Sequence, residues 1–267
     1  MRGAVVMSSD NEILAGRYRL VRRLGSGSSC DVYAAIDLEL GVTVALKRFR
    51  ETSPDALLRI KSEFRALSGI HAPGLVQFFH LVVSADAAFF TMELVDGVAL
   101  TEFARGVGYD DLRGVLARIV EAIGELHARG QLHRDLKPAN ILVTASHRVR
   151  VLDFGLAAPA GPIAGTPAYM APELFDGQPA SAASDWYSFG AVLYELLAGQ
   201  TPASGRHFGE IIVHKQRRRF PAVRELAPTA PSELGELAWQ LLDPDPGRRP
   251  RRQDIAAVLA HAPRSDR

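Results

Sequence analysis

A change of texture about a third of the way along the chain most constrains its fold. From Arg17, "RYRLVRRLG", "SCDVYAAIDL" and "VTVALKRFR" are short runs rich in Val, Leu, Tyr and Phe, separated by "GSGSS" and "ELG". That pattern predicts an antiparallel meander of three strands. "SPDALLRIKSEFRALSGI" follows with Leu57, Ile60, Phe64, Leu67 and Ile70 at helical spacing, opened by Ser53 as N-cap and Pro54 at the first helical position. Two apolar runs, 75–83 and 87–94, return to strand character. After "VDG" the chain is mostly helical, with helices expected near 109–129, 182–198, 232–242 and 252–260. A β-rich front third with one main helix, an α-rich remainder and a hinge at 95–97 make an α+β class, two lobes around a cleft. Residues 1–15 carry no period and read as a loose arm.

Composition removes several alternatives. The 267 residues are 47% hydrophobic and 23% charged with a formal net charge of +1, proportions that let two lobes each bury a core. Near-neutrality argues against general attraction to nucleic acid or membrane. Cys30 is the only cysteine, so no intrachain disulfide can form and a reducing, cytoplasmic setting is expected. No apolar run approaches the roughly 18 residues that cross a bilayer, and the opening "MRGAVVMSSD" has too short an apolar core for a secretory signal.

The chemistry concentrates in "LHRDLKPANILV", residues 132–143, where His, Arg, Asp, Lys and Asn crowd around a proline that forbids helix. Asp153 follows, opening "DFG" after the strand-like "VRVLD". Asp153 and Asn140 are hard oxygen donors of the kind Mg²⁺ takes together with phosphate oxygens and water. Asp135 then remains as a base.

These motifs resemble those of eukaryotic-type serine/threonine protein kinases of the bacterial kind, and the likeness runs from about Arg17 to Ala260. It implies a two-lobed kinase fold over 17–262, with an N-lobe at 17–94, the hinge at 95–97, a C-lobe at 98–262, an arm at 1–16 and a tail at 263–267. It implies ATP and Mg²⁺ (or Mn²⁺) as cofactors and Ser/Thr-bearing proteins as partners, with no nucleic acid or membrane. In this resemblance Asp135 is the base, Lys137 steadies the γ-phosphate, and Asn140 and Asp153 hold the metal. Lys47 of "VALK" grips the α- and β-phosphates and pairs with Glu63 on the following helix. "LGSGSSCDV" matches the glycine-rich loop, giving Leu24, Gly25, Ser26, Gly27, Ser28 and Val32 to the nucleotide. Ala45, Leu142, Met92 as gatekeeper, and the backbone of Glu93 and Val95 complete the adenine site. His133, Arg134, Phe154 and Gly155 belong to the two catalytic loops, and Thr166 lies near the acceptor in contact with Asp135 and Lys137. Glu173 of "APE" is expected to pair with Arg249, and Asp185 to brace the catalytic loop.

The chain departs from the family pattern twice. Cys30 replaces the third glycine of the phosphate loop. "LAAPAGPIAG", residues 156–165, has no hydroxyl to phosphorylate, and Pro159 and Pro162 lower the entropy lost on ordering it. Activity without a phosphate on this segment is therefore expected, with control passing to the arm, a partner or other domains. The alternatives are a nucleotide-binding pseudokinase or scaffold and a small-molecule kinase. Lys47, Asp135 and Asp153 speak against the first, and Lys137, Thr166 and "APE" against the second. The basic runs "HKQRRRF" and "RRPRR" are read as solvated faces or docking sites for acidic substrates. His71, His80 and His207 have no partner at metal-ligand spacing.

Overall fold

The computed structural model describes residues 12–27, 29–84, 87–154, 166–203 and 208–260, apart from the side chains of Glu63 and Phe208. They group into two compact units: one runs to residue 71 and resumes over 76–96, the other takes 72–75 and everything from 97 on.

The first unit is a sheet with one helix. Its strands are β1 (Ile13–Leu14), β2 (Tyr18–Ser26), β3 (Cys30–Asp37), β4 (Val42–Phe49), β5 (Phe78–Val83) and β6 (Ala88–Glu93), in the order β1-β2-β3-β4-β6-β5. All of its neighbouring strands are antiparallel. Helix α1 (Pro54–Ser68) starts where Ser53 accepts a hydrogen bond from the Ala56 amide at 3.3 Å, with Pro54 in its first turn.

Directly opposite residues of an antiparallel pair share a face, and alternate residues along a strand do too. Tyr33, Ala35, Val44, Leu46 and Phe89 therefore fall on one face, and with Leu14, Tyr18 and Leu20 they form a buried core. The other face carries Val32 opposite Lys47, Ala45 opposite Met92, and Phe90 opposite Lys47. Phe64 of α1 packs there against Phe78 and Phe90.

Two expectations are corrected in this unit. Glu12–Leu14 is not loose arm. Leu14 is buried in the core, Ala15 and Gly16 turn the chain at positive φ, and the Leu20 amide bonds the Glu12 carbonyl at 2.8 Å. The run 75–83 becomes strand only at Phe78, because Leu75 bridges to Val151 in the second unit. Gly74 makes that approach: its φ is +84°, its carbonyl accepts from the Val151 amide at 2.7 Å, and a Cβ there would stand 2.8 Å from that of Ala122.

The second unit holds the small sheet β7 (Val98–Ala99), β8 (Ile141–Val143) and β9 (Val149–Val151) among helices. These are α2 (Leu100–Arg105), α3 (Tyr109–Ala128), α4 (Pro172–Phe175), α5 (Ala182–Ala198), α6 (Phe208–Gln216), α7 (Val223–Leu226), α8 (Ser232–Leu241) and α9 (Arg252–Ala260). The short helices α2, α4 and α7, and α6, have no counterpart in the sequence expectations. α5 is buried from Ser184 through Tyr194, as an apolar-all-round helix should be. Gly190 lets α8 come close, since a Cβ there would lie 2.5 Å from Leu241 Cβ. Arg113 on α3 is buried, donating to the Val258 carbonyl at 2.9 Å and to Glu233. Among the described residues no helix is long and apolar enough to cross a membrane.

Candidate active site

Asp135 lies on the loop between α3 and β8, just before a 3-10 turn at Pro138–Asn140. Pro138 opens that turn, where its missing amide hydrogen costs nothing and its fixed φ suits the start, and β8 follows at Ile141. Both carboxylate oxygens of Asp135 are engaged. Oδ2 accepts from Lys137 Nζ at 2.6 Å and Asn140 Nδ2 at 3.3 Å, while Oδ1 accepts from the Thr166 amide at 2.9 Å and hydroxyl at 3.1 Å. Lys137 Nζ also donates to Thr166 Oγ1 at 2.9 Å, closing a ring of three side chains. A carboxylate gathered by donors at this distance can take a proton from a hydroxyl that displaces one of them.

Asn140 Nδ2 also donates to the Asp135 carbonyl at 2.8 Å, so its oxygen Oδ1 is the atom left to hold a cation. The Leu152 amide bonds the Asn140 carbonyl at 2.8 Å, which sets Asp153 beside that turn. Two hard oxygen donors on adjoining loops fit a Mg²⁺ ion completed by phosphate and water.

The loop is held from beneath by Asp185, in the first turn of α5. Its Oδ2 accepts from the His133 amide at 2.8 Å and its Oδ1 from the Arg134 amide at 2.9 Å. Arg134 and Asp153 both adopt left-handed backbone, φ 68° and 55°, which is uncommon outside glycine and concentrates at functional sites. His133 is buried, and desolvation holds its imidazole below its ordinary pKa; Nδ1 lies 3.3 Å from the Asp135 amide, which donates to it. Phe154 is buried against the His133 ring.

Glu173 and Arg249 form a two-toothed ion pair with both contacts at 2.7 Å. The remaining Arg249 donors reach the carbonyls of Asp243, Ala183 and Pro244 at 2.8, 2.9 and 3.2 Å.

In the first unit Lys47 is buried, 4% exposed, on the face it shares with Val32, Ala45 and Met92. Gly25 pairs with Val32, register shifts bend β2 beside it, and the Gly27 amide bonds the Cys30 carbonyl at 2.8 Å. Leu24 and Ser26 lie on the same strand, and Glu93 ends β6 with its amide on the Gln77 carbonyl at 2.8 Å. Val95 follows β6 before the second unit begins, and Leu142 sits in β8 opposite Ala99. Ser28, Gly155, His207, the Glu63 side chain and the segment 155–165 lie outside the described residues.

Three features escaped the sequence reading. His127, at the end of α3, donates from Nε2 to Asp185 Oδ2 at 2.8 Å and meets the Trp186 ring edge-on. Within "HKQRRRF", Lys215 is buried outright, and Arg218 stacks 4.1 Å over the Trp239 ring while bonding Asp243 and the Trp239 carbonyl. Neither residue belongs to a solvated or docking face. His71 bonds Gln77 and His80 bonds the Tyr18 hydroxyl, at 2.6 and 3.1 Å.

A β-sheet unit with one long helix, joined in sequence to a helical unit carrying Asp135, Lys137, Asn140 and Asp153 on two adjoining loops, defines the protein-kinase class. The chain belongs to the protein kinase domain family, whose model matches residues 18–262. It is 35% identical over 268 residues to the DNA damage-responsive serine/threonine-protein kinase RqkA of Deinococcus radiodurans, covering 93% of this chain and 39% of that protein. Serine/threonine-protein kinase PknA of Mycobacterium tuberculosis is 34% identical, with 92% of this chain and 62% of that protein covered. Serine/threonine-protein kinase PrkC of Bacillus subtilis is 29% identical, with 95% and 42% covered. The chain thus spans about two-fifths to three-fifths of the length of these relatives.

Proposed function

We propose that the chain is a serine/threonine protein kinase, transferring the γ-phosphate of ATP to Ser or Thr hydroxyls of protein acceptors. The carrying observation is the ring of Asp135, Lys137 and Thr166, with Lys137 Nζ 2.6 Å from Asp135 and 2.9 Å from Thr166. Asp135 takes the acceptor's proton as its oxygen bonds phosphorus and the bond to ADP breaks. Lys137 offers positive charge to the transferring oxygens. Asn140 and Asp153 would hold Mg²⁺, which when bound neutralises charge on the phosphates. Lys47 is assigned to the α- and β-phosphates and Glu63 to Lys47. Gly25 and Gly27 let backbone approach the phosphates, and Met92, Glu93, Val95, Val32, Ala45 and Leu142 are assigned to adenine. The relatives, named as serine/threonine-protein kinases, support serine and threonine as acceptors.

On this reading the enzyme works without a phosphate on residues 155–165, which offer no hydroxyl, and control falls to a partner or to other domains. The test is the chain produced with a phosphatase, shown phosphate-free by intact mass, then given Mg-ATP and dephosphorylated casein, with Asp135→Asn as control. Transfer without a lag by the wild type alone is expected. A lag ending when Thr166 or another residue becomes phosphorylated would overturn the phosphate-independent part. ATP binding with no transfer would turn the reading towards a scaffold.

A further inference from the structure

Lys215 sits in the last turn of α6, 0% exposed. Lysine is almost never buried unless its head group is paired. Here Nζ donates to the carbonyls of Ala168 and Met170 at 2.8 and 2.7 Å, and it lies 5.0 Å from the ring centroid of Tyr187 on α5. The guanidinium carbon of Arg249 lies 4.9 Å from the same ring.

The two carbonyls belong to a turn that begins at the proposed base. The amides of Tyr169 and Met170 bond the Thr166 carbonyl at 3.0 and 3.3 Å, and Thr166 in turn bonds Asp135 and Lys137. The turn is therefore tied at its start to Asp135 and at its far end to Lys215. With only the first tie, residues 167–170 could pivot about Thr166, and their carbonyls would be left without a partner beside buried Met170 and Ala171. The bond survives loss of the proton, because a neutral amine keeps two hydrogens for two carbonyls.

We infer that Lys215 is a positioning residue for the protein acceptor: it fixes the turn 166–170, past which an acceptor hydroxyl must approach Asp135. The inference rests on the protein-kinase reading above, and it assigns to Lys215 control of acceptor binding rather than of nucleotide binding.

Lys215→Met removes the donor at similar volume, and Lys215→Arg keeps a cationic donor. Two measurements on the complete chain separate the outcomes: amide hydrogen exchange at Tyr169 and Met170, and steady-state KM for dephosphorylated casein and for ATP. For the methionine variant, about tenfold faster exchange and about tenfold higher KM for casein are expected, with KM for ATP within about twofold and most of the loss recovered by arginine. Unchanged exchange, or casein and ATP constants that rise together, would overturn the assignment. Should Lys215→Met not fold, Lys215→Gln, whose two N–H groups end one bond short of Nζ, carries the same readings. A wild type that transfers no phosphate overturns the kinase reading instead, while the exchange measurement still decides whether Lys215 holds the turn.

Discussion

Asp185 and Lys215 are two buried charges of opposite sign that hold opposite kinds of backbone group. The aspartate, 2% exposed, collects the amides of His133 and Arg134 and the ring of His127. The lysine collects the carbonyls of Ala168 and Met170. In both cases the partners are irregular backbone that no helix or strand satisfies, and in both they lead directly to Asp135. Each charge also sits at the helix end that suits it, Asp185 in the first turn of α5 and Lys215 in the last turn of α6. The comparison teaches that the loops around the proposed base are shaped by buried ions reaching up from helices. A buried ion is costly alone and tolerable when fully hydrogen-bonded, so each loop conformation is coupled to the folding of the helix beneath it.

The two charges differ in what their loss should do. Asp185→Asn replaces one of the two accepting oxygens with an NH2 donor and leaves the amide of His133 or of Arg134 unpaired, which weakens support for the left-handed Arg134. The variant should lose about 2–4 kcal/mol of stability and at least about a hundredfold in kcat, because Asp135 sits one residue beyond the displaced amide. Urea unfolding and phosphate transfer to casein check the two halves. A stable variant with near-normal kcat would break the claim that Asp185 shapes the loop.

Glu173–Arg249 is a third buried arrangement, its guanidinium fully enclosed and set over the same Tyr187 ring as Lys215. Glu173→Gln leaves that cation buried against one neutral oxygen and the carbonyls it already bonds. About 3 kcal/mol of destabilisation is expected, read as a lower urea midpoint at unchanged slope. The proposed catalytic ring does not include Glu173, so ATP affinity should hold in the folded fraction. A loss of ATP affinity matching the loss of stability would show that this pair cannot be separated from the site.

Of these features, the Asp185 brace and the Glu173–Arg249 pair were legible only through the family resemblance, and those legible from the residues alone are carried by short spacing. Ser53-Pro54 announces α1 because the cap and the proline act within one turn. "HRDLKPAN" announces a polar loop because its proline forbids helix and apolar runs flank it. Lys215 is different. Its burial depends on carbonyls 45 and 47 residues away in sequence, and the arginines after it make the run look like a solvated face. Arg218 hides in the same run because stacking on Trp239 is a tertiary contact. Glu12–Leu14 was illegible for a related reason: two residues of strand are too few for a period, and they pair only because Ala15–Gly16 turn back on β2. Local chemistry could be read from the residues themselves, whereas side-chain destinations across the fold were read only where a family motif carried them, as for Glu173–Arg249 and Asp185, and not for Lys215 or Arg218.

The last effect expected is a change in the slope of stability against pH. Desolvation pushes the Lys215 ammonium from its ordinary 10.5 down to about 7, and nearby Glu173 opposes that shift. Tyr187 faces it, with Arg249 on the same ring and Arg218 nearby, and burial raises the tyrosine's pKa, keeping its hydroxyl neutral. Below about 7 the lysine is protonated in both the folded and unfolded chain, so stability does not vary with pH on its account. Between about 7 and 10.5 the unfolded chain holds one more proton than the folded one, and stability rises with pH across that window. Lys215→Met removes the titrating group, so the difference in unfolding free energy between wild type and variant should shift in favour of the wild type from pH 7 to pH 9.5. Urea titrations of both proteins at matched ionic strength measure it. A constant difference across that range would mean that Lys215 keeps its proton in the fold, held by the two carbonyls and the face of Tyr187. The comparison with Asp185 would then become one between two permanent ions.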